Sequence, residues 1–171
     1  MKLMNSAVDK EAFLTLIEEH RKIIFKICNS YCPNKNDRED LAQEIIFQLW
    51  RSYATFNDAY KFSTWMYRIA LNVAISFYRK ENKVAQTISF PESIPDIEDK
   101  HDGTHQTEEN ISRLQQFINE LKELDKALMI LYLEEKSQKE ISEILGITET
   151  NVATKIGRIK EKLKQKFSTI Q

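Results

Sequence analysis

From Lys61 to Lys83 the chain reads Lys-Phe-Ser-Thr-Trp-Met-Tyr-Arg-Ile-Ala-Leu-Asn-Val-Ala-Ile-Ser-Phe-Tyr-Arg-Lys-Glu-Asn-Lys, without one Gly or Pro. Ser63 is placed to cap its start, and Met66, Ile69, Ala70, Val73 and Phe77 recur at helical spacing, so the stretch predicts one long, core-packed helix. At about 100° per residue, Trp65, Arg68, Asn72, Ser76, Arg79 and Lys83 fall within roughly 40° of Asn72. Cations neutralise phosphates, an amide hydrogen-bonds a base edge, and an indole stacks on an unpaired base. The stripe therefore suits a strand taken out of its duplex. It is equally compatible with a solvated helix face that tucks Trp65 over the core.

The rest of the chain is similarly poor in breakers, with three Gly and three Pro in 171 residues. With 42% hydrophobic and 30% charged residues, this predicts a soluble, mostly helical protein. Net charge is −1, but it is unevenly spread: +3 over residues 1–85, −8 over 86–135 and +4 over 136–171. Two basic ends around an acidic middle allow nucleic acid to be gripped at two places in a near-neutral chain. No signal peptide and no apolar run of about 18 residues is present, so a cytoplasmic protein without membrane insertion is expected. Cys28 and Cys32 lack a second ligand pair at metal spacing, which favours buried or half-buried reduced thiols.

Before the long helix, Phe13, Leu16, Ile17, Ile24, Ile27 and Cys28 follow helical spacing, predicting a first amphipathic helix from Asp9 to Tyr31 that Pro33 ends. His20, within that pattern, reads as a packing residue. A second helix is expected from a cap at Asn36 with Glu39 to about Ala54, burying Leu41, Ile45, Leu49 and Tyr53. Its other side aligns Asp40, Glu44, Phe47 and Arg51, with Gln43 adjacent: a Phe ringed by acids and amides, suited to a basic protein surface or to plain solvent. The short polar-aromatic loop Phe56-Asn-Asp-Ala-Tyr60 leads into the long helix.

Between Thr87 and Asn110 the periodicity dissolves and two prolines, a glycine and many acids accumulate, the composition of a linker. His101, Asp102 and His105 lie in it, and a metal cluster there is disfavoured. Beyond it Ile111, Leu114, Ile118, Leu121, Leu124, Leu128, Ile130 and Leu131 restore helical spacing. Ser137 and Glu140 then form a capping box, Gly146 permits a sharp turn, and Thr148 caps a further helix whose Val152, Ile156, Ile159 and Leu163 point inward. Thr150, Asn151, Thr154, Lys155 and Arg158 face out. This is a helix-turn-helix whose second helix carries short polar and cationic side chains able to reach base edges in a major groove, with Lys160, Lys162, Lys164 and Lys166 as added phosphate-binding charge. An αα-hairpin without a DNA role is the alternative. No GxxxxGK[ST] loop, GxSxG elbow or HExxH helix occurs, so an enzyme is not expected.

In this order the motifs resemble the group IV, extracytoplasmic function sigma factors of bacterial RNA polymerase, over nearly the whole chain. Asp37-Arg-Glu-Asp-Leu-Ala-Gln-Glu-Ile-Ile-Phe-Gln-Leu-Trp is similar to that family's core-binding helix. Phe62-Ser-Thr-Trp-Met-Tyr-Arg-Ile-Ala-Leu-Asn followed by Arg79-Lys80 is similar to its minus-ten recognition and melting helix, and Ser137 to Lys160 to its minus-thirty-five reader. The resemblance implies that Asp40, Gln43, Glu44 and Phe47 dock on the clamp helices of the polymerase's largest subunit, and that the chain also meets the flap of the second. It implies minus-ten contacts from Phe56, Asn57, Lys61, Trp65, Arg68, Asn72 and Arg79, with Asn72 and the loop holding a flipped base. Minus-thirty-five contacts are implied for Thr150, Asn151, Thr154, Lys155 and Arg158. An anti-sigma factor clamping both domains is usual in the family, and no cofactor or metal is implied. Two positions depart from the family pattern: Ser76, where many members carry Asp, and Gly157, where a larger residue is common.

The expected architecture is all-α: a three-helix unit over residues 1–86, a flexible acidic linker over 87–110, and a helix-turn-helix unit over 111–171. The expected role is a specificity subunit that brings core RNA polymerase to promoters and opens them. A stand-alone helix-turn-helix regulator and a helical scaffold are its rivals.

Overall fold

A computed structural model describes the backbone of residues 7–87 and 105–169, and the side chains of 9–81 and 105–169. The chain divides into two units, Met1–Ile88 and Ser89–Gln171. Among the described residues the regular structure is all helical.

The first unit holds α1 (Ala7–Glu19), α2 (Arg21–Tyr31), α3 (Lys35–Ser52), a 3-10 turn (Tyr53–Thr55) and α4 (Phe62–Thr87). Four helices stand where three were expected, because the segment read as one helix from Asp9 to Tyr31 breaks at His20. No Gly or Pro marks the break. His20 has φ −109° and ψ 13°, its Nδ1 lies 2.9 Å from the Leu16 carbonyl, and its ring packs 5.1 Å from that of Phe62. A tertiary partner from another helix thus fixes the bend, which local spacing does not encode. His20 is a packing residue, as its pattern suggested.

The cap of α3 is Asn34 rather than Asn36: its Oδ1 accepts the Asp37 amide at 2.8 Å, and Asn34-x-x-Asp37 does the work assigned to Asn36 and Glu39. Helix α4 begins at Phe62 and the Lys61 carbonyl accepts the amides of Thr64 and Trp65, which places Ser63 inside the first turn instead of at the cap. α2, α3 and α4 pack on one another. Leu41, Ile45 and Leu49 are fully buried as expected, whereas Tyr53 is only half-buried, because α3 ends at Ser52 and Tyr53 opens the 3-10 turn. Along α4 the core takes Met66, Tyr67, Ala70, Leu71 and Ala74, while Ile69, Val73 and Phe77 are only half-buried. The buried face is rotated from the expected one because α4 is covered by α2 and α3 together, and Ala70 and Ala74 let the backbones approach.

The second unit holds α5 (His105–Glu120), α6 (Glu123–Leu133), α7 (Gln138–Leu145) and α8 (Glu149–Ser168). Residues 105–110, expected in the linker, are the start of α5, and Thr87 is the end of α4. Exposed acidic and polar side chains hid this turn from any apolar periodicity. The remainder of the expected linker, with His101 and Asp102, lies outside the described residues. α6 is enclosed on most sides, Lys126 through Leu131 being buried, and α7 and α8 pack on it through Ile141, Ile144, Val152, Ile156 and Ile159.

Two of this unit's three connections, α6 to α7 and α7 to α8, close with a left-handed residue. At the end of α7 it is Gly146 (φ 68°), the residue without a Cβ penalty. At the end of α6 it is Glu135 (φ 56°), with Lys136 N–H donating to the Leu131 carbonyl and Glu135 N–H to that of Tyr132, the paired bonds of a Schellman motif. A Cβ in that region costs about 1 kcal/mol. Glu135→Gly is therefore expected to stabilise the chain by about that amount, read as a higher urea midpoint; an unchanged midpoint would show that the strain is offset by the Glu side chain.

Candidate nucleic-acid interface

The stripe expected on α4 lies on the side away from the core. Arg68, Asn72, Ser76 and Arg79 are exposed; the side chain of Lys83 lies outside the described residues. Trp65, at the lower end, is half-buried in an aromatic cluster: its ring centroid stands 5.2 Å from Phe56, 5.3 Å from Phe62 and 6.4 Å from Tyr53. Phe56 also meets Phe62 edge-on at 5.4 Å and stacks over Tyr53 at 6.4 Å, and Phe13 extends the cluster to Trp50. Phe56 and Trp65 thus form a packed wall, and the tucked reading of Trp65 holds in part. Edge-to-face pairs of this kind each contribute about 0.5–1.5 kcal/mol beyond burial, enough to fix the loop's root.

Above that root the loop is polar and outward. Asn57 is exposed and its Oδ1 accepts the Ala59 amide at 3.0 Å, a local bond that holds the turn. Lys61 is exposed, and so is Tyr60, at 58%. Tyr60 was not singled out from the sequence, where a loop aromatic carries no periodicity to set it apart. The arrangement is an exposed amide, Asn72, and cations along one helix side, with a rigid aromatic wall and a polar loop at its end. Phosphates can be met by the cations and a base by the amide and the rings.

On α3, Asp40, Gln43, Glu44 and Phe47 are all exposed, opposite the buried Leu41, Ile45 and Leu49. Phe47 is 55% exposed, Ile46 joins it at 36%, and Gln48 Nε2 donates to Glu44 Oε1 at 2.8 Å. An apolar centre with an acidic rim is what a basic partner surface needs. Phe25 on α2 is exposed further, at 65%, and sequence reasoning passed over it because it falls outside the helical apolar pattern.

In the second unit both capping expectations hold. Glu140 N–H donates to Ser137 Oγ and Ser137 N–H to Glu140 Oε2; Thr148 Oγ1 accepts the Asn151 amide; and Ser142 Oγ latches the turn by donating to the Ile147 carbonyl at 2.7 Å. These bonds set the start of α8, where Thr150, Asn151, Thr154 and Arg158 are exposed and Lys155 half-exposed. Thr154 Oγ1 donates to the Thr150 carbonyl at 2.9 Å, which holds its hydroxyl to the helix backbone. Two of the cations further along α8 have partners within the unit: Lys160 Nζ sits 4.4 Å over the Tyr132 ring, and Lys166 pairs with Glu120.

Cys28 and Cys32 are free and buried. Burial pushes the Cys28 thiol up to about 11, against the pull of Arg38, and burial with the nearby Asp37, Cys28 and Glu81 pushes Cys32 up to about 12. Both stay protonated and unreactive at neutral pH. Because the folded chain holds these protons above the unfolded thiol value of 9.0, the stability they contribute is complete below pH 9 and lost as pH rises toward 11–12. Replacing both with Ala is expected to flatten the alkaline fall of the unfolding free energy, measured by urea titration at stepped pH; an identical fall in parent and variant would assign it to other groups. Among the described residues no cluster of three His, Cys, Asp or Glu is placed to hold a metal ion, and no helix is long and apolar enough to cross a membrane.

Comparison with known proteins gives two family matches: Sigma-70 region 2 over residues 16–84, and Sigma-70 region 4 over residues 111–163. The chain is 30% identical over 170 residues to the ECF RNA polymerase sigma factor SigW of Bacillus subtilis (strain 168), covering 93% of this chain and 90% of that one. It is 29% identical over 154 residues to the RNA polymerase sigma factor SigV of the same organism, covering 87% of each. Among solved structures it is similar to the sigma factor RpoE from Bartonella quintana, in complex with the anti-sigma factor NepR, with a TM-score of 0.71 at 18% identity over 95% of this chain and 98% of that one.

Proposed function

The chain belongs to the extracytoplasmic function group of the sigma-70 family, which makes it a factor directing promoter-specific transcription by RNA polymerase, and from that premise we propose how its surfaces share the work. A stand-alone helix-turn-helix regulator is not favoured, since the region 2 match accounts for residues such a regulator has no use for. Asp40, Gln43, Glu44 and Phe47 dock on the clamp helices of the largest polymerase subunit, and the second unit meets the flap of the second-largest. Thr150, Asn151, Thr154, Lys155 and Arg158 read the minus-thirty-five element in the major groove. Arg68 and Arg79 hold the non-template strand at the minus-ten element while Asn72 hydrogen-bonds an extruded base.

Phe56 and Trp65 act as the wall of that pocket, Asn57 and Lys61 as its rim. The observation that carries this reading is the exposed Arg68–Asn72–Arg79 side of α4 rising from a packed aromatic root. It supplies both requirements of strand opening: charge that tracks the backbone, and a fixed surface against which an unstacked base can rest. The protein acts in the cytoplasm beside core polymerase. An anti-sigma factor is proposed as its regulator, by likeness to the RpoE complex with NepR.

Run-off transcription with core polymerase on the promoter of the chain's own operon tests the assignment. A discrete transcript that requires both the chain and that promoter is expected. Polymerase binding without a transcript would leave docking in place and remove the minus-ten roles.

A further inference from the structure

Gly157 sits in the middle of α8, with no turn, cap or bend to account for it. A helix-interior glycine is less stable than alanine there because it loses more backbone freedom on folding. The fold gives nothing back. The φ of Gly157 is not positive, Gly146 being the described glycine that needs that freedom, and a Cβ built at 157 would meet no atom within 4 Å. The position is therefore open to any side chain as far as this chain is concerned.

What distinguishes position 157 is its direction. Val152, Ile156 and Ile159 are buried, and at about 100° per residue the side of α8 opposite them carries Thr150, Thr154 and Gly157, followed one turn later by the exposed Glu161. Thr154 spends its hydroxyl on the Thr150 carbonyl and so projects no further than its methyl. From Thr150 to Gly157 the outermost line of the helix is thus low, before Glu161 rises on it, and Asn151 and Arg158 rise on one flank.

We infer that Gly157 is a close-approach position: the missing side chain lets the backbone of α8 sit deep in the major groove of the minus-thirty-five element, so that Arg158 and Asn151 reach base edges. This rests on the proposed reading of α8 as the recognition helix. The close approach sets how far those two side chains penetrate, which makes Gly157 a positioning residue for specificity.

The test uses holoenzyme assembled from core polymerase and the full chain, on a duplex whose minus-thirty-five element was selected by parent holoenzyme from a randomised library. Gly157→Ala should raise the chain's thermal midpoint by about 4 °C, as a better helix former does, yet weaken closed-complex binding about tenfold, comparable to one mismatched base pair. Gly157→Leu should weaken it further, and Arg158→Ala should weaken it independently. Opposed changes in stability and affinity are the signature, because a merely structural glycine would lose both together, and that joint loss overturns the proposal. Parent-like binding by both Gly157 variants, with Arg158→Ala impaired, overturns it while leaving the recognition helix in place. Parent-like binding by all three overturns the reading of α8 as well.

Discussion

Phe47→Ala is expected to weaken binding of the chain to core RNA polymerase about thirtyfold, with the helical content unchanged. An aromatic at the centre of an interface commonly contributes about 2 kcal/mol or more, and thirtyfold is that energy at room temperature. Phe47 meets the structural conditions for such a role. It is more than half exposed, it lies on the side of α3 away from Leu41, Ile45 and Leu49, and it is bordered by Ile46 and by the acids Asp40 and Glu44. Its removal leaves the unit's core untouched, so a loss of affinity can be assigned to the interface. The acidic rim should act differently: Glu44→Gln should slow association and reduce its salt dependence more than it speeds dissociation. A fluorescence titration in which Phe47→Ala binds core enzyme as the parent does would take this surface out of the docking assignment.

How far these surfaces were legible in the sequence depended on which interactions built them. The helix-turn-helix was nearly complete in the sequence because its determinants are local: Ser137 with Glu140, Gly146, and Thr148 with Asn151 all act within a few residues, and each bond is present. The exposed sides of α3 and α4 were also readable, since a helical wheel needs only spacing. The sequence was silent wherever a distant partner decided the outcome. The bend at His20 is held by Phe62, far along the chain. The core side of α4 turned toward Tyr67, Leu71 and Ala74 because two helices cover it at once.

The aromatic root was the least visible feature. Phe13, Trp50, Tyr53, Phe56, Phe62 and Trp65 come from α1, α3, a 3-10 turn, a loop and α4, and no single periodicity links them. Its discovery changes the expected division of labour. Trp65 and Phe56 have ring neighbours that limit their movement, so in the proposed pocket they offer a fixed surface in place of free stacking groups, which leaves Asn72 as the side chain proposed to act on the base.

Asn72→Ala is accordingly expected to leave closed-complex formation nearly unchanged while reducing permanganate-reactive, opened promoter and its transcript at least about fivefold. An uncharged amide adds little to the affinity for intact duplex, which is set by phosphate neutralisation, and Arg68→Ala should supply the contrast by weakening closed complexes with a shallower salt dependence. Opening is different in kind. Extruding a base costs a few kcal/mol of lost stacking and pairing, and the pocket must return that with contacts formed only after the base has left the duplex. Loss of a base-edge hydrogen bond from a fixed pocket is worth about 1–3 kcal/mol, which gives the fivefold or greater fall. On a template already unpaired across the minus-ten region the cost has been met beforehand, so the variant should recover most of its transcript. The exposed position of Asn72, clear of the core, makes a folding defect an unsuitable explanation for such a loss. Should the variant open duplex promoters as fast as the parent, the α4 stripe would be reduced to a phosphate-binding side, and the extruded base would have to be held by the loop, with Tyr60 as its free aromatic.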